Sequence, residues 1–146
     1  MTPDEMAEIH HAAFTTPRPW RAEEFVQMLT SPLCYVATAP GGFAIGRCIA
    51  DEAELLTIAV RPDARRKGAG RQLLHAILAQ SKTRGAEALF LEVADGNAAA
   101  IGLYLGSGFR LEGRRPAYYK RGAAPIDALI FRKLLDDVKA GSGLGG

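Results

Sequence analysis

Apolar residues in this chain recur first with a helical period, then with a strand period, and then in alternation of the two. Over Pro3–Phe14, Met6, Ile9, His10 and Ala13 fall on one face, with Asp4 and Glu5 in the first turn, which predicts a helix. Thr15-Thr16-Pro17-Arg18-Pro19-Trp20 reads as a proline-stiffened loop. Ala22–Leu29 follows as a short second helix, expected to turn Phe25, Val26 and Leu29 inward. Cys34–Ala39, Phe43–Ala50 and Ala53–Val60 read as strands, the first two joined by the hairpin signal Pro40-Gly41-Gly42. Their short connections predict an antiparallel meander.

The second half alternates. A helix running to about Arg84 carries Leu73, Leu74, Ile77 and Leu78 on one face and is closed by Gly85. Ala88–Val93 is apolar enough to be covered on both faces. Asp95-Gly96-Asn97 leads into a helix over Ala98–Leu105, closed by Gly106-Ser107-Gly108. Phe109–Gly113 and Ala128–Phe131 are the last predicted strands, separated by a basic, tyrosine-containing loop. The pattern is α/β (α+β). Residues 1–135 are expected to form a single domain and residues 136–146, glycine-rich at their end, a flexible tail.

Composition narrows the partners. At 146 residues the chain can bury a core, and a net charge of +2 gives no general reason to bind nucleic acid or a membrane. No apolar run is long enough to span a bilayer, and the first residues lack the basic and apolar regions of a signal peptide, so a cytoplasmic protein is expected. Cys34 and Cys48 read as small apolar residues rather than a disulfide, and nothing calls for a metal.

Charge is instead concentrated where the third strand meets the following helix. Arg65, Arg66, Lys67 and Arg71 surround Gly68, Ala69 and Gly70 at the start of that helix. A helix N-terminus offers unpaired N–H groups and the positive end of its dipole, and glycine lets a ligand approach the backbone closely. Cations there are unfavourable unless an anion neutralises them, so a phosphate-bearing ligand fits better than a plain basic turn. Neither G-x-x-x-x-G-K-S/T nor G-x-G-x-x-G is present.

Other chemistry-bearing positions have two readings each. Glu92 is a carboxylate in an otherwise apolar strand. It either turns to solvent at the strand end or sits desolvated, where a carboxylate holds a proton more tightly and suits a general base. Tyr104 is a core tyrosine or a proton donor, and Asn97 is at least a helix N-cap. Trp20 either staples its loop to the core or lines a groove. His10 and His11 read as ordinary helix residues.

The run Arg65-x-x-Gly68-x-Gly70 resembles the pyrophosphate loop of the GNAT acyl-CoA-dependent N-acetyltransferases. The segment Leu89 to Phe109, with Leu91-Glu92-Val93, Asn97-Ala98-Ala99-Ala100-Ile101 and Tyr104 before Gly108-Phe109, resembles the family's strand–N-x-x-A–Y-x-x-x-G-F signature. Within the family it is nearest to the bacterial ribosomal-protein-alanine N-acetyltransferases, over roughly residues 43–133. The resemblance implies a mixed central sheet of about six to seven strands flanked by helices, with two parallel central strands splayed apart. It further implies acetyl-CoA as cosubstrate, with no metal. Backbone groups of Ile58, Ala59 and Val60 would receive the pantetheine arm, the amides of residues 66–71 its diphosphate, and Asn97 the adjoining region. Glu92 would be the base and Tyr104 the acid that protonates the departing thiolate.

Tyr118 and Tyr119 match paired tyrosines of the same group, although a solvated basic hairpin reads them equally well. With Trp20, Glu52 and Glu54 they would wall an acceptor groove for a protein N-terminus or another primary amine. An α-amine, with a pKa of about 8, needs less help at neutral pH than a lysine at about 10.4. The expected activity is therefore acetyl transfer to the N-terminal amine of a protein, most simply a ribosomal one, by a monomer or weak dimer. Acetylation of a small-molecule amine or a lysine, and a non-catalytic acyl-CoA-binding module, are the alternatives.

Overall fold

The structure is a computed structural model that describes residues 1–13, 19–65, 67–121 and 124–135. Among the described residues four helices, α1 (Pro3–Ala13), α2 (Ala22–Thr30), α3 (Ala69–Thr83) and α4 (Ala98–Gly106), flank a six-stranded mixed sheet. The strands are β1 (Cys34–Ala39), β2 (Gly42–Ile49), β3 (Glu52–Val60), β4 (Ala88–Ala94), β5 (Arg110–Arg121) and β6 (Ala124–Leu134), in the spatial order β1-β2-β3-β4-β6-β5. No helix is long and apolar enough to cross a membrane, among the described residues.

The expected meander forms β1 to β3, and α3 crosses over to bring β4 parallel to β3. That parallel pairing is brief. It joins Glu52 to Ala88, Ala53 to Leu89 and Glu54 to Phe90. Beyond it, β3 stays with β2 as far as Val60, while β4 stays with β6 as far as Ala94 opposite Ala128. Each strand keeps its outer partner and loses its inner one, so the sheet opens into a wedge between them.

Two apolar clusters hold the wedge. Leu73, Leu74 and Ile77 of α3 are fully buried against Leu55, Leu89 and Leu91. On the other face Met6, Ile9 and Phe25 pack against Phe43, Ile45 and Ala59. At roughly 1.5–3 kcal/mol per buried large apolar side chain, these contacts fix the strand directions far more firmly than any surface pair. Cys34 and Cys48 are both free thiols on neighbouring strands.

Two expectations need correction. Only Phe25 of α2 is fully buried, whereas Val26 and Leu29 are 46% and 36% exposed. The helix is nine residues long and seats one anchor, Phe25, among aromatic rings. The basic segment after Gly113 is strand, not loop, because β5 and β6 continue as a long antiparallel pair out to Arg121 and Ala124. β6 also lies between β4 and β5. Backbone pairing overrides the low strand propensity of Gly113 and Pro116. Phe14 and residues 136–146 lie outside the described residues.

Candidate active site

Where β3 and β4 part, a cleft of about 190 Å³ opens. Its walls are Glu54 to Ile58 of β3 and Glu92 to Ala94 of β4, with Asn97, Ala100 and Tyr104 of α4 closing one side. His10 and Trp20 close another. Six of the side chains singled out from the sequence thus share one cavity: Trp20, Glu54, Ile58, Glu92, Asn97 and Tyr104.

Strand alternation sets the exposure of Glu92. Along β4, Leu89, Leu91 and Val93 are buried while Phe90 and Glu92, two apart and therefore on one face, are half-exposed. The Glu92 side chain is 27% exposed and its Oε2 receives Nη2 of Arg115 at 3.1 Å. It is neither turned fully to solvent nor isolated in apolar surroundings. Its environment lies between the two readings of the sequence: half-buried, and ion-paired with Arg115.

Tyr104 is a core tyrosine that also borders the cleft. It is 4% exposed, with its ring 5.8 Å from that of Phe109 and 6.2 Å from that of Phe131. Asn97 caps α4, its Oδ1 accepting from the Ala100 N–H at 3.2 Å. The turn before it is tied to β5 and β6. Arg114 donates to Asp95 at 2.9 Å and to Asp127 at 2.7 Å, and Asp127 also accepts from the Ala117 N–H at 2.8 Å. The Ala117 bond, reinforced by Arg114, holds the Asp127 carboxyl below its usual range.

At the open end of the wedge the glycine turn starts α3. Gly68 has φ +80° and occupies the N-cap, a conformation that L side chains rarely adopt. Among the described residues the helix's first bond runs from Gln72 N to Gly68 O at 3.0 Å, which leaves the N–H groups of Ala69, Gly70 and Arg71 ahead of it. Lys67 and Arg71 are exposed beside them. Arg65 turns back and donates from Nε to the Val60 carbonyl at 3.1 Å. Arg66 lies outside the described residues.

Other expected site residues stand further off. The Ala59 side chain is buried in the cluster with Phe25 and Phe43, and Val60 packs against the opposite cluster. Glu52 lines a separate hollow with Arg47, Ile49 and Phe90. Glu54 borders both cavities, but Arg47 already bonds its carboxylate at 2.8 Å. Tyr118 is half-exposed with the Arg115 guanidinium 5.1 Å from its ring centroid. Tyr119 lies within β5, opposite Ile126.

Three residues escaped sequence reasoning. His10 is fully buried, and its ring is held by the Trp20 N–H at Nδ1 and by Thr57 at Nε2. Its inward position on α1 was the available signal, but its partners lie far along the chain. Thr57, 8% exposed, is hidden among apolar strand residues. Arg115 was submerged in a basic run.

The cleft can receive a flat or extended arm between two strand edges and present a carboxylate and a phenol to its end. The solved structure of the Escherichia coli ribosomal-protein-S18-alanine N-acetyltransferase superposes on the chain with a TM-score of 0.81 at 32% identity. The match covers 91% of this chain and 87% of that one. The Mycobacterium tuberculosis N-alpha-acetyltransferase RimI is 35% identical over 136 residues, which is 87% of this chain and 83% of that protein. The ribosomal protein bS18-alanine N-acetyltransferase of Salmonella typhimurium is 46% identical over 89 residues, or 61% of this chain. That match spans 60% of the relative's own length. Residues 4–109 match the family model described as Acetyltransferase (GNAT) family, and the chain belongs to that family.

Proposed function

We propose that this protein transfers the acetyl group of acetyl-CoA to a primary amine, in the first place the N-terminal α-amine of a protein. The observation that carries this reading is the placement of Glu92, Tyr104 and Asn97 around one cleft at the point where β3 and β4 separate. The names of the Salmonella and Mycobacterium relatives, an alanine N-acetyltransferase of a ribosomal protein and an N-alpha-acetyltransferase, support the choice of acceptor.

The residues present fit the cosubstrate. Gly68 offers a turn without a Cβ, and Ala69, Gly70 and Arg71 offer N–H groups at a helix N-terminus, the standard recognition of a diphosphate. Lys67 and Arg71 add charge beside it, and Arg66 belongs to the same proposed set. The strand edge at Ile58 to Val60 lies open towards β4 and can hold an extended pantetheine arm by backbone hydrogen bonds. Acetyl-CoA supplies an activated acyl group, and the chain's own groups manage the protons. Glu92 removes the proton of the ammonium acceptor, and Tyr104 delivers one to the leaving thiolate. A phenol at about 10 and a thiol at about 8.5 are close enough for that transfer. Trp20, Glu52, Glu54, Tyr118 and Tyr119 form the proposed acceptor side.

The test is mass spectrometry of a panel of N-terminal peptides, small amines and internal-lysine peptides after incubation with enzyme and acetyl-CoA. A mass gain of one acetyl group on the α-amine of a peptide is expected. Acetylation confined to lysines or small amines redirects the acceptor, and no coenzyme A release with any amine defeats the reading.

A further inference from the structure

Arg115 stands beside the proposed base, and an irregularity in β5 puts it there with an aromatic partner. On a regular strand, side chains three apart point to opposite faces. The pairing of β5 with β6 slips between Arg115 and Tyr119: Arg115 lies opposite Ala128 and Tyr119 opposite Ile126, so β5 advances four positions while β6 advances two. The two extra residues form a bulge at Pro116-Ala117, where Ala117 takes φ +53° and donates its N–H to Asp127. Within this irregular stretch Tyr118 lies over Arg115, whose guanidinium carbon is 5.1 Å from the ring centroid. The same guanidinium reaches Glu92 Oε2 at 3.1 Å.

A glutamate side chain has three rotatable bonds, and one at the mouth of an open cleft is free to wander unless it is held. Arg115 occupies one carboxylate oxygen and leaves Oε1 for the acceptor. Left-handed backbone at a non-glycine residue is costly and persists where its surroundings enforce it, here through the carboxylate that also binds Arg114.

We infer that Arg115 is a positioning residue for the base, held over Glu92 by the Tyr118 ring, so that Tyr118 serves the reaction through Arg115 rather than only as a wall of the acceptor groove. This inference rests on the proposed acetyl transfer with Glu92 as base. It has a specific signature: Arg115 matters to turnover only while Glu92 is a carboxylate that needs aiming.

The experiment is a double-mutant cycle of Arg115→Met and Glu92→Gln, with steady-state kinetics on a peptide with a free N-terminus. Arg115→Met should lower kcat by roughly 10- to 100-fold with acetyl-CoA affinity unchanged. In the Glu92→Gln background it should cost nothing further. Arg115→Lys should recover part of the loss. Should Arg115→Met fold poorly, Tyr118→Leu, which loosens the arginine without removing it, carries the same cycle with a smaller loss. Losses that multiply, a change confined to KM, or a wild-type kcat in Arg115→Met would overturn the inference while leaving the acetyltransferase reading intact. Wild-type turnover by Glu92→Gln would instead remove Glu92 as base, and the inference with it.

Discussion

His10 Nε2 on α1 lies 2.8 Å from Thr57 Oγ1 on β3, and this bond ties the first helix to the strand that forms one wall of the cleft. The Trp20 N–H donates to the other ring nitrogen at 2.9 Å, so Nδ1 is an acceptor and Nε2 carries the proton. The imidazole is neutral, donates to the Thr57 hydroxyl, and packs against Trp20, Phe25 and Phe43. Trp20 is therefore stapled to the core, and in that position it borders the cavity.

Removing the ring tests this linkage. His10→Ala leaves a cavity among aromatic rings and removes the acceptor of the part-buried Trp20 N–H, which together should cost about 2–5 kcal/mol of stability. Urea unfolding should show that loss, and peptide KM should rise more than acetyl-CoA KM because Trp20 is released. An unchanged unfolding midpoint would mean that the ring does not bear on the wall.

The acid and base assignments give a second prediction. Glu92→Gln keeps the shape and hydrogen-bonding reach of the side chain but cannot take a proton, so kcat should fall by about 10²–10³-fold. Tyr104→Phe keeps the packing against Phe109 and Phe131 and should fold normally while turnover drops. Isothermal titration should find acetyl-CoA binding nearly unchanged in both. Wild-type kcat in either variant would strike that residue from the chemistry.

Much of this arrangement was legible in the sequence, and what was not has a physical reason. α3 and β4 announce themselves by helical spacing of Leu73, Leu74 and Ile77 and by a largely apolar run. Both signals are local; the first agrees with the burial of those side chains, whereas β4, expected to be covered on both faces, leaves Phe90 and Glu92 half-exposed. The resemblance of residues 89–109 to the family signature points to Glu92, Asn97 and Tyr104, all three of which line the cleft. The long β5–β6 hairpin was missed because Gly113, Pro116 and the arginines carry weak strand propensity, and only pairing with a neighbour makes them extended. His10 with Thr57 and Arg115 with Glu92 are pairs from different elements. Nothing local marks the pairing, because the contact exists only once the sheet has formed.

Acid should loosen the corner that joins β4, β5 and β6. Asp127 is held below its usual range by the Ala117 N–H and then by Arg114. A carboxyl depressed by folding stabilises the protein above its unfolded value, about 3.9, and loses that contribution as pH falls through the folded value. Asp127→Asn should therefore lower Tm by a constant amount near neutrality, and the gap from wild type should close below about pH 4. Thermal melts from pH 7 down to pH 2.5 would show this, and a gap that stays constant throughout would exclude Asp127 as its source.

The two glycines at the start of α3 should respond to alanine in opposite directions. Gly68 has φ +80°, so a Cβ there meets no neighbour but strains the backbone, and Gly68→Ala should destabilise by about 1–2 kcal/mol. Gly70 lies inside the helix with no positive φ, and a Cβ would sit 3.5 Å from Leu103 Cδ2, an ordinary contact. Gly70→Ala should therefore stabilise the free protein by about 0.5–1 kcal/mol. Coenzyme A should reverse that gain. The proposed diphosphate site lies against these amides, so a methyl group at Gly70 obstructs the ligand while helping the helix. Melting curves with and without saturating coenzyme A should show Gly70→Ala above wild type alone and below it when ligand is added. A variant that gains equally in both conditions would put the diphosphate somewhere other than this turn.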